Sequence, residues 1–165
     1  MISIRNYDEK TDAEIVGLLI AETYRKYNLD FASPEEQLKL LGPFQYAGST
    51  EISHRDEIAL VLRAEMMYVA EDDGEIAGVL RGRKERLQSL FVRGDRHCQG
   101  IGRSLVEHFE QKCAHLDSRV IHLAATLYAV PFYLAMGYWK SSGIRNAWSF
   151  GGRGLKYQPM KKVLR

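Results

Sequence analysis

Two cysteines in 165 residues are too few for a disulfide framework. They also sit in different settings, Cys98 in a glycine-containing turn and Cys113 on the apolar stripe of a helical segment, where it reads as a small core residue. No apolar run approaches the roughly 18 residues that a bilayer-crossing helix requires, and the first residues lack the basic and apolar regions of a secretory signal. A soluble, cytoplasmic protein is the expectation. An excess of one charge is missing too: 23 Lys and Arg stand against 21 Asp and Glu, and the cations are dispersed. No nucleic-acid groove and no membrane-surface helix is therefore expected. No internal repeat or low-complexity linker interrupts the chain, and its length with 45% hydrophobic content suits one core, so residues 1–165 read as one domain.

Further absences narrow the chemistry. No Gly-Lys pair occurs, which excludes a P-loop, and Leu105 stands where a dinucleotide fingerprint needs a small residue three places after Gly102. Cys113 and His115 have no third ligand at zinc-site spacing, and adjacent His97 and Cys98 in a turn point apart. Neither a metal centre nor a cysteine nucleophile is expected.

What is present is organised around residues 87–116. An apolar run ending in Leu90, Phe91 and Val92 meets a turn with glycines at Gly94, Gly100 and Gly102, and an amphipathic segment follows with Ile101, Leu105, Phe109, Cys113 and Leu116 on one face. Strand, tight loop and helix start are thus consecutive. Amides at a helix N-terminus have no intrahelical acceptor, and glycines let a bulky anion approach them, so the loop is a candidate phosphate cradle. Arg96 and Arg103 flank it and can add charge-assisted bonds.

Elsewhere the pattern alternates between helices and strands. Residues 1–5 alternate as a strand, and Thr11 with Glu14 has capping-box spacing before a helix ending near Tyr27. Ser33, Pro34 and Glu36 announce a second helix stopped by Gly42-Pro43. Residues 43–53 read as a loop, and Ser53 with Asp56 as the cap of a third helix. Asp73-Gly74 joins two strands in a hairpin, because Asp-Gly favours the positive φ angles such turns need. A strand over 119–125 leads to TLYAVPFYLAMGY, where Pro131 must lie in the first turn of a short helix and Gly137 suits its end. Two final strands, 138–144 and 156–164, flank a glycine-rich loop.

The run His97, Cys98, Gln99, Gly100, Ile101, Gly102 resembles motif A of the Gcn5-related N-acetyltransferases (GNAT), Q/R-x-x-G-x-G/A, with His97 in place of the usual Gln or Arg. Ala129, Phe132, Tyr133, Gly137 and Tyr138 resemble motif B, with Thr126 where Asn is common. The resemblance covers residues 87–138 and implies an α/β (α+β) fold with a mixed, mostly antiparallel central sheet of about six to seven strands, flanked by helices and splayed at the acyl-CoA site. It implies acetyl-CoA as cofactor, its pyrophosphate over 97–103, its pantetheine arm along Leu90, Phe91 and Val92, and Thr126 nearby. By the same resemblance Tyr133 protonates the departing thiolate; a phenol pKa of about 10 lies near a thiol's roughly 8.5. Glu85, His122 or ordered water remain open as the base. The acceptor is a small-molecule or peptide amine attacking directly in a ternary complex, with 43–53, Tyr24, Tyr27, Phe44 and Tyr46 around it; a homodimer stays open. The rival expectations are a CoA-binding regulatory module without turnover, and an unrelated α/β protein with a structural glycine turn.

Overall fold

The computed structural model describes residues 1–165. The chain runs β1 (Ile2–Asn6), α1 (Glu9–Tyr27), α2 (Pro34–Leu41), α3 (Ile52–Leu62), β2 (Met66–Asp72), β3 (Glu75–Arg83), β4 (Arg86–Val92), α4 (Ile101–His115), β5 (Val120–Thr126), α5 (Val130–Ala135), β6 (Trp139–Lys140), β7 (Arg145–Ser149) and β8 (Gly152–Val163). Short 3-10 turns occupy Gly42–Tyr46, Gly94–Arg96 and Leu127–Ala129. The strands form an 8-stranded sheet in the order β1-β2-β3-β4-β5-β8-β6, with β7 also on β8. Every pairing is antiparallel except β4 with β5. This is the mixed, mostly antiparallel sheet that the resemblance implies. No helix is long and apolar enough to cross a membrane.

Two apolar clusters cover the two faces of the sheet. On one, Ile101, Leu105, Phe109 and Cys113 of α4 pack on Leu80, Leu87, Ile121 and Leu123, so the helical stripe is buried as its period requires. Leu116 is the exception, 48% exposed beyond the last turn. On the other face, Val16, Leu19, Ile20 and Tyr24 of α1 join Leu40, Leu41, Ile58 and Leu62 over Val69 and Val79.

Local signals were right where the partner is close in sequence. Ser33 accepts from the Glu36 amide at 3.3 Å with Pro34 in the first turn of α2, and Asp73 and Gly74 both take positive φ in the β2–β3 turn. Elsewhere an earlier residue won. Asp8, not Thr11, caps α1 by accepting from the Lys10 amide at 2.9 Å, and α3 starts after Glu51, leaving Ser53 inside it. Part of 43–53 is the 3-10 turn, not loop.

The largest difference lies at the C-terminus. The expected strand over 138–144 shrinks to β6, and the expected glycine-rich loop becomes β7 and the first third of β8. One edge of β8 pairs with β5 and the other with β6 and β7 in turn, and that pairing outweighs the weak strand propensity of Gly152 and Gly154. Gly152 is required for packing: a Cβ there would lie 2.4 Å from Leu40 Cγ. We expect Gly152→Ala to destabilise the fold by about 1–3 kcal/mol in equilibrium denaturation, by pushing the β7–β8 hairpin off α2.

Candidate functional site

The site begins with a defect in strand pairing. Arg81 opposes Ser89 and Gly82 opposes Leu87, so Gln88 is an extra residue, a bulge that bends β4. The parallel ladder to β5 ends there, after Arg86 with His122 and Leu87 with Leu123. From Gln88 onward β4 and β5 diverge. Arg93 donates to Ala77 on β3 at 2.8 Å; by the alternation of antiparallel pairs, the amides of Leu90 and Val92 face the opposite, open edge.

The opening leads into a cavity of ≈ 790 Å³ whose walls come from both faces of the sheet, including Ile101, Gly102 and Phe132 on one side and Tyr24, Phe44 and Val61 on the other. At its α4 end the chain turns through positive φ at Cys98 (61°) and Gly100 (85°). The amides from Cys98 to Arg103 donate to no protein acceptor, and α4 has no side-chain cap. Such a run of unpaired donors at a helix N-terminus fits the pyrophosphate that motif A implies. Gly100 faces open space, with nothing within 4 Å of where a Cβ would stand, whereas a Cβ on Gly102 would sit 3.3 Å from Phe132. Gly100 leaves the concavity open, and Gly102 lets α4 approach α5.

The side chains of the turn are deployed unequally. The His97 ring is bonded to the Val92 carbonyl at 2.8 Å and lies 4.6 Å from the Tyr27 ring, and its amide donates to the Gly94 carbonyl, so His97 braces the turn from within. Arg96 pairs with Asp72 at 3.3 Å, while exposed Arg103 has only a 3.7 Å contact with Glu107. Gln99 points away and donates to the Asp95 carbonyl at 3.2 Å, leaving only its amide. Leu90, Phe91, Val92, Arg96, His97, Cys98, Gly100, Ile101, Gly102, Arg103 and Thr126 all line the cavity.

Tyr133 lines it too. The residue is 5% exposed, its ring packs against Phe132 and Tyr138, and its hydroxyl forms no hydrogen bond within the protein. Burial pushes the phenol well above its ordinary value. The group therefore stays protonated but is a weaker acid than an exposed tyrosine.

Neither of the two side chains considered as a base lines the cavity. Glu85 occupies the β3–β4 turn with φ 64°, its carbonyl accepting from the His122 amide at 2.9 Å, and it lies at the opposite end of β4 from the turn that precedes α4. His122 stands where β4 and β5 are still paired. No Asp or Glu lines the cavity. Of the residues expected around the acceptor, Tyr24, Tyr27 and Phe44 line the cavity, whereas Tyr46 stacks on His54 at 3.9 Å. Sequence reasoning passed over Arg81, Ser89, Phe150 and Tyr157, which also line it. The only local trace was an arginine inside an otherwise apolar strand run, AGVLRGR. Burial lowers Arg81 from its ordinary value.

Comparison with known proteins agrees with this fold. No curated protein matches the chain significantly in sequence. A GCN5-related N-acetyltransferase from Rhodopseudomonas palustris shares the fold with a TM-score of 0.81 at 18% identity, over 98% of this chain and 95% of that one. YncA of Salmonella typhimurium, solved with its cofactor acetyl-CoA, gives 0.64 at 14% identity over 100% and 95%. The PaiA N-acetyltransferase of Thermoplasma acidophilum, in complex with coenzyme A, gives 0.66 at 15% identity over 99% of each chain. At these identities the likeness is one of fold. The family model described as acetyltransferase (GNAT) domain matches residues 44–164. With most of its length matched in this way, the chain belongs to the GNAT acetyltransferase family.

Proposed function

We propose that the protein transfers an acetyl group from acetyl-CoA to a primary amine by direct attack in a ternary complex. The observation that carries this reading is the unpaired run of amides from Cys98 to Arg103, placed at one end of a cavity that passes through the sheet. Acetyl-CoA, when bound, supplies an activated thioester. The amides and Arg103 hold its diphosphate, and the open edge at Leu90 and Val92 pairs with its amide-containing arm as a neighbouring strand would. The Leu90 amide is also a donor to oxygen charge that develops beside β4. Tyr133 donates a hydrogen bond to the departing sulfur. Because burial raises its pKa, complete proton transfer to a free thiolate is uphill, and it acts by stabilising charge as the bond breaks.

With no carboxylate in the cavity, the attacking amine loses its proton to water. Release of free thiol from acetyl-CoA across a panel of amines tests the reading. Its kcat/KM should rise with pH up to the acceptor amine's own pKa, since only the neutral amine attacks, with no additional limb from an enzyme carboxylate. Glu85→Gln should leave both the profile and the rate within about twofold of wild type. A tenfold loss would restore Glu85 to the mechanism.

The missing carboxylate also favours a second reading, a CoA-binding regulatory module without turnover. Thermal stabilisation by coenzyme A with no thiol release from any amine would establish that reading instead.

A further inference from the structure

The cavity half on the α1 and α3 side presents donors and no acidic group. Arg81 on β3 directly opposes Ser89 on β4, so their side chains share the face of the sheet that α1 and α3 cover. Arg81 Nε donates to the Leu62 carbonyl at 2.8 Å and Nη2 to the Val61 carbonyl at 2.6 Å. These two bonds to the end of α3 hold the guanidinium in a fixed orientation. Nη1 donates to no protein group, and Arg81 takes part in no salt bridge. Beside it, Ser89 Oγ is buried without any hydrogen-bond partner. Both residues line the cavity. A buried hydroxyl with no acceptor and a guanidinium with no counterion are each unfavourable alone, and one bound anion relieves both.

The opposite wall brings no acid either. No Asp or Glu follows Asp117, and β5 to β8 contribute only uncharged groups to the lining, among them Thr126, Ser149 and Tyr157. A polycationic acceptor would meet repulsion here and no carboxylate to bind it. The surrounding Tyr24, Phe44, Phe91 and Phe150 offer an apolar, aromatic surface to the rest of the ligand.

We propose that Arg81 and Ser89 form an anion subsite for the carboxylate of the acetyl acceptor, and that this acceptor is an amino acid with an apolar or aromatic side chain. Arg81 presents Nη1 and the free N–H of Nη2, and Ser89 adds its hydroxyl. The role of acetyl acceptor rests on the transferase reading; the anion subsite does not.

The test compares phenylalanine, phenylalaninamide and 2-phenylethylamine, with leucine and leucinamide as an aliphatic pair. Binding is measured by calorimetry on the whole protein saturated with coenzyme A, and turnover by thiol release from acetyl-CoA. The acids should bind about 10- to 100-fold more tightly than the uncharged counterparts. Arg81→Gln should erase that preference, Arg81→Lys should restore part of it, and Ser89→Ala should weaken it by less, all with unchanged affinity for coenzyme A. If Arg81→Gln loses coenzyme A binding as well, the α3 end has been disturbed, and Arg81→Lys and Ser89→Ala decide. The proposal is overturned if no acid binds, if amides or decarboxylated amines bind as well as acids, or if the preference survives in the variants. Carboxylate-dependent binding without thiol release would remove the transferase reading and leave the subsite; thiol release only from amines lacking a carboxylate would do the reverse.

Discussion

Gly100→Glu should abolish coenzyme A binding while the protein stays folded. The position tolerates the extra atoms, since nothing lies within 4 Å of an added Cβ, but φ is 85°, a conformation that disfavours any side chain by about 1–2 kcal/mol. That strain lowers stability without reaching the cofactor. The carboxylate does reach it, because it enters the concavity formed by the unpaired amides of Cys98 to Arg103 and satisfies donors that the diphosphate needs. It also sets like charge against like. Affinity measured by calorimetry should fall more than about 100-fold, and the thermal shift given by coenzyme A should vanish. Gly100→Ala separates the two effects, keeping the strain without the charge, and should retain binding. If alanine removes binding as completely as glutamate, the loop acts through its shape alone. If glutamate binds coenzyme A normally, the diphosphate lies elsewhere.

Tyr133→Phe should lower kcat by about 100-fold with coenzyme A affinity changed less than twofold. The ring is held by Phe132 at 5.1 Å and by Tyr138 at 5.6 Å, contacts that phenylalanine repeats. Its hydroxyl has no protein partner to lose, so the melting temperature should hardly move. The raised phenol pKa has a clear sign: the proton is kept at every assay pH, so loss of rate at high pH should not come from this group. Equal kcat in wild type and variant would assign Tyr133 to packing and remove its hydroxyl from stabilising the charge that develops on sulfur.

The turn before α4 was legible because its determinants are consecutive. Glycine placement, a helix start and the strand before it are all local, and the amides from Cys98 to Arg103 stay unpaired whatever side chains they carry, while the His97 amide is bonded to the Gly94 carbonyl. The His97 ring bonds Val92. Tyr133 was legible for a similar reason, since Pro131 and Gly137 bracket a single short helix. Glu85 does not reach the cavity because strand length, not sequence proximity, decides reach. From Arg86 to Val92, at roughly 3.3 Å per residue, the strand carries the chain some 20 Å from that turn toward the start of α4. Capping at Asp8 rather than Thr11, and at Glu51 rather than Ser53, shows the same limit, because competing short-range caps differ by little and packing of the whole helix selects among them.

By itself the sequence determined the succession of helices and strands through the centre of the chain, the amide-rich turn that follows β4, and the placement of a tyrosine after Pro131. Those features depend on neighbours within one helical turn or one hairpin. Tertiary structure alone decided the rest: the bulge at Gln88 exists only relative to Gly82 and Arg81 across the ladder, and the cavity exists only because that bulge turns β4 away from β5. It also brought Arg81, Ser89 and the uncharged lining residues of the C-terminal strands around one space that contains no acid. Side chains far apart in sequence acquire a shared chemistry only when a common wall removes water from between them.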